Sequence, residues 1–348
     1  MKPCVFITGG AGLIGRAVRA KFLAENYDVI SLDLRPHEAV QPQERIAVID
    51  LENRAEFFKY WESIHEDYAR ITAVIHLAAF YDFTNLPNAH YEELLQSFRE
   101  WLPRIGRNLP LTSRVILASS MAALAPSLPG QKLVELSPRA GDWQYPASKI
   151  KNERALEQAQ IPQSKIELVL AGVYTDFCEL VPMYRTIERL KRLSLESLFF
   201  PGPTNRGLTF VHLDDVANAF YRAAIYKIPS SETQRFLIGQ AEPMTYAEIK
   251  KSVHQVYKNK ITFTIRIPMW FAKWGAIILK WFYGRTRRFV QPWMIQFSGE
   301  HFEFDLSHAH DILGWAPTRQ IQADLPLILK FAEQNPLPFK AINEARPW

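Results

Sequence analysis

Thr8-Gly9-Gly10-Ala11-Gly12-Leu13-Ile14-Gly15 follows a short apolar run, Cys4 to Thr8, and opens a helical pattern from Leu13 to about Glu25. Glycines at 9, 12 and 15 let a turn be tight and let main chain come close to a bulky anion. The amides of Leu13, Ile14 and Gly15 have no acceptor inside a helix that starts there, and its dipole end is positive. A glycine triplet alone is a weak signal, because many turns contain three glycines. Strand before and helix after are the context that a pyrophosphate-binding turn requires, so the run reads as the site of a dinucleotide.

Outward from this turn, apolar runs alternate with helical patterns. Val29–Leu34, Arg45–Ile49, Ala73–Leu77, Arg114–Ala118 and Ile166–Leu170 read as further strands, with a helix over about Arg54–Tyr68. Near-continuous apolar strands separated by amphipathic helices predict an α/β fold, a doubly wound parallel sheet covered on both faces. From about Thr175 proline and glycine interrupt the pattern at Pro182, Pro201, Gly202, Pro203 and Gly207. The expected division is 1–174, a Rossmann dinucleotide domain, and 175–348, a smaller and mostly helical substrate-binding region that returns some segments to the main sheet.

Asp33 stands about twenty residues beyond the glycines, at the end of the second strand, where a carboxylate can accept both adenosine-ribose hydroxyls and repel a 2′-phosphate. NAD is therefore expected. Arg35, two residues on, could meet such a phosphate and leaves NADP open.

Composition narrows the alternatives. In 348 residues, 48% are hydrophobic and 22% charged, ordinary values for a folded enzyme-sized chain. The net charge of +5 reads as a mild excess spread along the chain, with short clusters at Arg189–Arg192 and Arg285–Arg288 taken as solvated helix ends and loops. No concentrated basic patch with a recognisable module points to nucleic acid. Cys4 and Cys178 show neither metal-ligand nor disulfide spacing. Met1 leads straight into the first strand without a signal-peptide pattern, so a cytoplasmic location is the default expectation.

Tyr145-Pro146-Ala147-Ser148-Lys149 puts a phenol and an ammonium at i and i+4 on one helix face, and Ser119-Ser120 end the fifth strand. A phenol of pKa ~10 is a poor base at neutral pH, and a nearby positive charge favours its phenolate. Tyr145 can then exchange a proton with a substrate hydroxyl. Tyr-x3-Lys by itself is common by chance; behind a serine-ended strand and a glycine turn it carries weight.

The glycine turn resembles that of the extended short-chain dehydrogenases, the NAD-dependent epimerase/dehydratase group. The resemblance continues through Asp50-Leu51, Val74 to Ala79, Phe210 to Asp215 and Leu313 to Pro317. It implies that Asp50 and Leu51 contact the adenine, and that Leu77, Ala78 and Ala79 lie under the cofactor. It further implies that Ser120 rather than Ser119 is catalytic, that Lys149 also holds the cofactor ribose, and that Asp215 caps a helix opening at Val216. Two departures stand out. Leu95 replaces an asparagine usual on the helix after the fourth strand, which bears on a proton path. Val169 and Gly172 stand where nucleotide-sugar enzymes tend to carry arginine and asparagine.

The expected function is an NAD(P)-dependent oxidoreductase acting on a secondary alcohol or ketone of a moderately apolar small molecule. A sugar epimerase/dehydratase is the alternative, and a non-catalytic NAD-binding sensor or scaffold is the alternative of another class. The aromatic segment 267–283 reads first as a buried helix or a dimer contact, with peripheral membrane contact second. A homodimer through helices near 91–105 and 146–160 is an expectation from the resemblance alone. No metal site is expected: His212 beside Asp214 and Asp215 lacks a convergent ligand set.

Overall fold

The computed structural model describes all residues except 1, 40, 83–84, 193–197, 227–231, 259–262, 273, 275–294, 296–298 and 346–348. The first half runs β1 (Cys4–Thr8), α1 (Leu13–Ala24), β2 (Asp28–Asp33), β3 (Glu44–Val48), α2 (Arg54–Ser63), β4 (Ile71–His76), α3 (Ala89–Gly106), β5 (Arg114–Ser120), α4 (Gln144–Gln158) and β6 (Ser164–Leu170). The second half continues with β7 (Gly172–Tyr174), α5 (Val181–Lys191), β8 (Phe199–Pro201), β9 (Gly207–Leu208), β10 (Phe210–His212), α6 (Leu213–Ile225), β11 (Thr233–Ile238) and β12 (Met244–Thr245). It ends with α7 (Tyr246–Val256), β13 (Ile265–Ile267), α8 (Ser307–Leu313), α9 (Ile321–Gln334) and α10 (Pro336–Glu344).

Seven parallel strands form the central sheet in the order β11-β6-β5-β4-β1-β2-β3. The order reverses between β1 and β4, which leaves a crevice outside their carboxyl ends. Every residue of β1 is buried, as a strand covered on both faces requires. Val18 and Phe22 of α1 join Val216 and Phe220 of α6 on one face. Phe57 and Trp61 of α2 join Phe98 and Trp101 of α3 on the other. Full burial of each such side chain stabilises by roughly 1.5–3 kcal/mol, so the two layers hold the crevice rigid.

A third apolar cluster, with Tyr184, Ile187, Phe200, Ile249, Leu325 and Leu329, gathers α5, α7 and α9. The chain does not stay in this region: β11 returns from it to the main sheet and pairs with β6 along Thr233–Ile238.

Two local readings are corrected. The helix expected to reach Tyr68 ends at Ser63, and His65–Arg70 form a 3₁₀ turn. Tyr68 stacks on Trp61 at 4.6 Å and its hydroxyl donates to the Trp61 carbonyl at 2.7 Å. In a continuous helix those residues would lie about 10 Å apart along the axis, so the contact requires the break. Asp215 does not cap a helix, because α6 already begins at Leu213 and is capped by the His212 side chain. The Asp215 carboxylate accepts instead from the amides of Thr318 and Arg319, both at 3.0 Å, and from the Thr318 hydroxyl at 2.7 Å.

Candidate active site

The glycine turn leaves β1 beside β2 and β4. Gly9 has φ +80°, and a Cβ there would stand 2.6 Å from the Ala78 amide nitrogen. A Cβ on Gly15 would stand 2.2 Å from the Gly9 carbonyl oxygen. Both absences are demanded by the protein's own packing. Gly12 differs, since its Cβ would meet only the Gly9 carbonyl, at 3.3 Å, with open space beyond. The N-cap of α1 is Gly12 itself, without a side-chain cap, so the first-turn amides of Leu13, Ile14 and Gly15 face that space. This cradle fits a dinucleotide pyrophosphate.

Asp33 ends β2 and holds the turn. One carboxylate oxygen accepts the Ala11 amide at 2.9 Å, and the other the Arg35 amide at 2.9 Å. The Arg35 guanidinium is 3.6 Å from that second oxygen and largely exposed. Arg19, buried inside α1, donates to the Gly10 carbonyl at 2.9 Å and pairs with Glu44 of β3. Sequence reading missed Arg19, because an arginine one turn into a helix ordinarily reads as solvated surface.

Asp50 caps the turn after β3 by accepting the Glu52 amide at 2.9 Å, and Leu51 is buried against α3. Leu77 donates its amide to the Thr8 carbonyl at 3.1 Å, and the Ala78 amide reaches the Thr8 hydroxyl at 3.5 Å. Ala79 is exposed at the end of this segment. The same Thr8 hydroxyl lies 2.7 Å from His76 Nδ1. Burial pushes the His76 imidazole down to about 3, so it stays neutral.

At the carboxyl end of β5 the two serines diverge, as successive strand residues must. Ser119 donates to the buried Glu153 carboxylate of α4. Ser120 hydrogen-bonds Tyr145, which opens α4. Lys149, one turn on, is buried, donates to the Ala118 carbonyl at 3.0 Å, and lies 5.7 Å from the Tyr145 ring centre. Ser120, Tyr145 and Lys149 are thus brought together at the carboxyl end of β5, with β4 between them and the strand that leads into the glycine turn. Burial pushes the Tyr145 phenol up to about 12, against the opposing Ser120 bond. Burial also lowers the Lys149 ammonium to about 8, with Glu153 acting to raise it. The lowered phenol pKa expected from Lys149 is not realised in the protein alone, where desolvation outweighs the Ser120 hydrogen bond.

Around Tyr145 the walls are aromatic. Tyr81 meets it edge-on at 4.5 Å and Trp143 lies at 5.5 Å, while Phe80 and Tyr91 pack edge-on at 5.0 Å. Leu95 is buried with Phe98 and Trp101, so the position that carries asparagine in the family holds no polar atom. Val169 is fully buried in β6, and a side chain on Gly172 would strike the Phe210 ring at 2.9 Å.

Other features stand apart. A hollow of about 330 Å³ lined by Trp61, His65, Tyr68 and Arg104 lies at the amino ends of the strands, remote from the site. Among the described residues no group of His, Cys, Asp or Glu converges on a metal position. Cys4 and Cys178 are buried free thiols, pushed up to about 12 by burial.

A crevice at the reversal of a parallel sheet, a glycine turn at a helix start and a Ser/Tyr/Lys cluster define an enzyme of the extended short-chain dehydrogenase type. More narrowly, the chain belongs to the NAD-dependent epimerase/dehydratase family, whose model matches residues 5–239. No curated protein sequence matches the chain. Among solved structures, dTDP-glucose 4,6-dehydratase from Bacillus anthracis in complex with NAD is 14% identical, with a TM-score of 0.66 over 98% of this chain and 99% of that one. UDP-glucose 4-epimerase from Thermotoga maritima with UDP-glucose is 18% identical, with a TM-score of 0.64 over 95% and 99%. A short-chain dehydrogenase/reductase superfamily protein from Agrobacterium tumefaciens with bound NAD is 17% identical, with a TM-score of 0.67 over 99% and 100%.

Proposed function

We propose that the protein interconverts a secondary alcohol and a ketone on a moderately apolar small molecule, with Tyr145 as the proton-transferring group. The observation that carries this reading is the Ser120–Tyr145–Lys149 cluster set within an aromatic wall. Gly9, Gly12, Leu13, Ile14 and Gly15 would hold the cofactor pyrophosphate, Asp33 the adenosine ribose, Asp50 and Leu51 the adenine, and Leu77, Ala78 and Ala79 its underside. NAD, when bound, supplies the hydride acceptor or donor and a positive charge near the phenol.

Ser120 and Tyr145 both direct hydroxyl groups at one substrate oxygen. With its phenol held at about 12, Tyr145 keeps its proton at neutral pH and suits the reduction direction, giving that proton to the forming alkoxide. In the oxidation direction it takes the alcohol proton, which requires positive charge nearby; Lys149 supplies part of it. Residues 175–348 would bind the rest of the substrate. Asp33 favours NAD over NADP by repelling a 2′-phosphate.

A second reading, transient oxidation inside a sugar epimerase or dehydratase cycle, is favoured by the family. Against it stand Val169 and Gly172, which offer no polar group where nucleotide-sugar enzymes carry one.

The test begins with thermal shift against NAD⁺, NADH, NADP⁺ and NADPH, where a ligand of the native state raises the midpoint by mass action. A larger shift with NAD(H) is expected, followed by turnover in an alcohol and ketone screen. Tyr145→Phe should lower turnover roughly 10²–10⁴-fold while keeping the NAD shift. Turnover confined to nucleotide sugars would sink the proposal. Unchanged turnover in the variant would remove Tyr145 from its role.

A further inference from the structure

The positive charge of this chain is not spread evenly. Residues 249–299 contain ten lysines and arginines and no aspartate or glutamate, which leaves 31 basic against 36 acidic side chains in the remainder. The +5 chain is therefore a basic stretch of +10 joined to a body of −5.

The described part of that stretch also exposes its aromatic side chains. Trp270 is 65% exposed, Trp274 63%, Phe263 60% and Phe271 57%, with Ile265 and Phe199 also exposed. The reading of 267–283 as a buried helix therefore does not hold for Trp270, Phe271 and Trp274; residues 273 and 275–283 lie outside the described residues. The face is built rather than frayed. β13 pairs with β8, bringing Ile265 beside Phe199, and Lys250 of α7 ties down Phe263 and Thr264 at 2.5 and 2.7 Å. Trp270 and Phe271 meet edge-on at 5.8 Å. Arg266 stands exposed between Ile265 and Ile267, and Lys251 and Lys258 are exposed on and just after α7.

We propose that the aromatic face of Phe199, Phe263, Ile265, Trp270, Phe271 and Trp274 docks on the surface of an anionic lipid bilayer. Tryptophan and phenylalanine partition into the headgroup boundary, while cations around them meet lipid phosphates. Exposed large apolar side chains gathered in one place mark an interaction surface. A second copy of this chain is the poorer occupant, since a two-fold contact would bring the exposed Lys251, Lys258 and Arg266 against their own copies. Among the described residues no helix is long and apolar enough to cross a membrane, so the contact is peripheral.

The experiment is flotation of the full chain with vesicles of phosphatidylcholine alone or with one quarter phosphatidylglycerol, at low and high salt. The expected result is binding to the anionic vesicles only, a blue shift of tryptophan emission, and loss at high salt as charge is screened. Trp270→Ser/Phe271→Ser/Trp274→Ser should weaken binding at least tenfold, and Lys251→Glu/Lys258→Glu/Arg266→Glu should do the same while removing the salt dependence. Both variants should keep the NAD thermal shift, which controls for folding and separates this proposal from the enzymatic one. No flotation with anionic vesicles would overturn it, as would equal binding by the aromatic variant. A wild-type dimer that the aromatic variant turns into a monomer, without vesicle binding, would assign the face to a second copy. Binding of a fluorescent oligonucleotide in place of vesicles would assign it to nucleic acid.

Discussion

At Lys149 a cation is held away from water, with the Ala118 carbonyl at 3.0 Å as acceptor and Glu153 one turn further along α4. Its pKa falls from 10.5 to about 8 on folding, so between those values the unfolded chain binds a proton that the folded chain has released. Stability therefore rises with pH through that window, and the burial penalty is fully present below about pH 8. Lys149→Met should abolish turnover yet stabilise the fold at pH 7, by at most about 3 kcal/mol less about 1 kcal/mol for the stranded carbonyl, read as a raised thermal midpoint. The gain should fade as the pH approaches 10; a midpoint that drops at pH 7 would contradict this account. Glu153 is a positioning residue in the same circuit, since its carboxylate accepts from Ser119 and from Arg139 at 2.7 Å, with Arg235 at 3.7 Å. Glu153→Gln removes a charge that favours the ammonium, so Lys149 should titrate lower. The alkaline limb of the kcat/KM profile should then move to lower pH, whereas an unmoved limb would leave Glu153 a purely structural part.

Between β1 and α1 the three glycines divide their labour, and substitution separates the parts. Gly15→Ala forces a Cβ to 2.2 Å from main chain and should lower the thermal midpoint in the absence of any ligand. Gly12→Ala meets only the 3.3 Å carbonyl, so the fold should survive while the NAD thermal shift shrinks. Equal damage from both would mean that Gly12, too, serves packing alone. The same element shows what could be read beforehand. A strand buried on both faces, a glycine turn and an amphipathic helix leave local marks, and β1, β2, β4, β5 and β6 were legible for that reason, whereas β3 is a half-exposed edge strand. β11 was not legible, because Thr233-Gln234-Arg235 opens it with polar side chains that look like loop. Arg235 finds its partners only in three dimensions, where it meets Glu167 at 2.6 Å and Glu157 at 2.9 Å. The site divides likewise. Tyr145 and Lys149 share one helix face and are visible from spacing, whereas the roles of Ser119, Glu153 and Arg19 depend on contacts between distant segments.

Across the whole molecule, one carboxylate fastens the chain's late segments to its core. Asp215, near the start of α6, receives Thr318 and the Arg319 amide, and its own carbonyl accepts the buried Trp315 indole at 3.0 Å. Asp215→Ala should cost about 2–4 kcal/mol, because three donors are stranded together. A thermal midpoint within a degree of wild type would show that the loop before α9 is held by packing alone. Loosening there should also disturb Tyr174, whose hydroxyl donates at 2.7 Å to Asp324 of α9.

The pairing of β6 with β11 sets a timetable for synthesis. Sixty-two residues separate Leu170 from Thr233, so β6 emerges from the ribosome well before its outer neighbour exists. At 5–20 residues per second that interval lasts roughly 3–12 s. Throughout it, a strand with six of its seven residues destined for burial presents an unpaired edge. The nascent chain is therefore most vulnerable to aggregation midway through its translation, and a stop near residue 174 would make that vulnerability permanent.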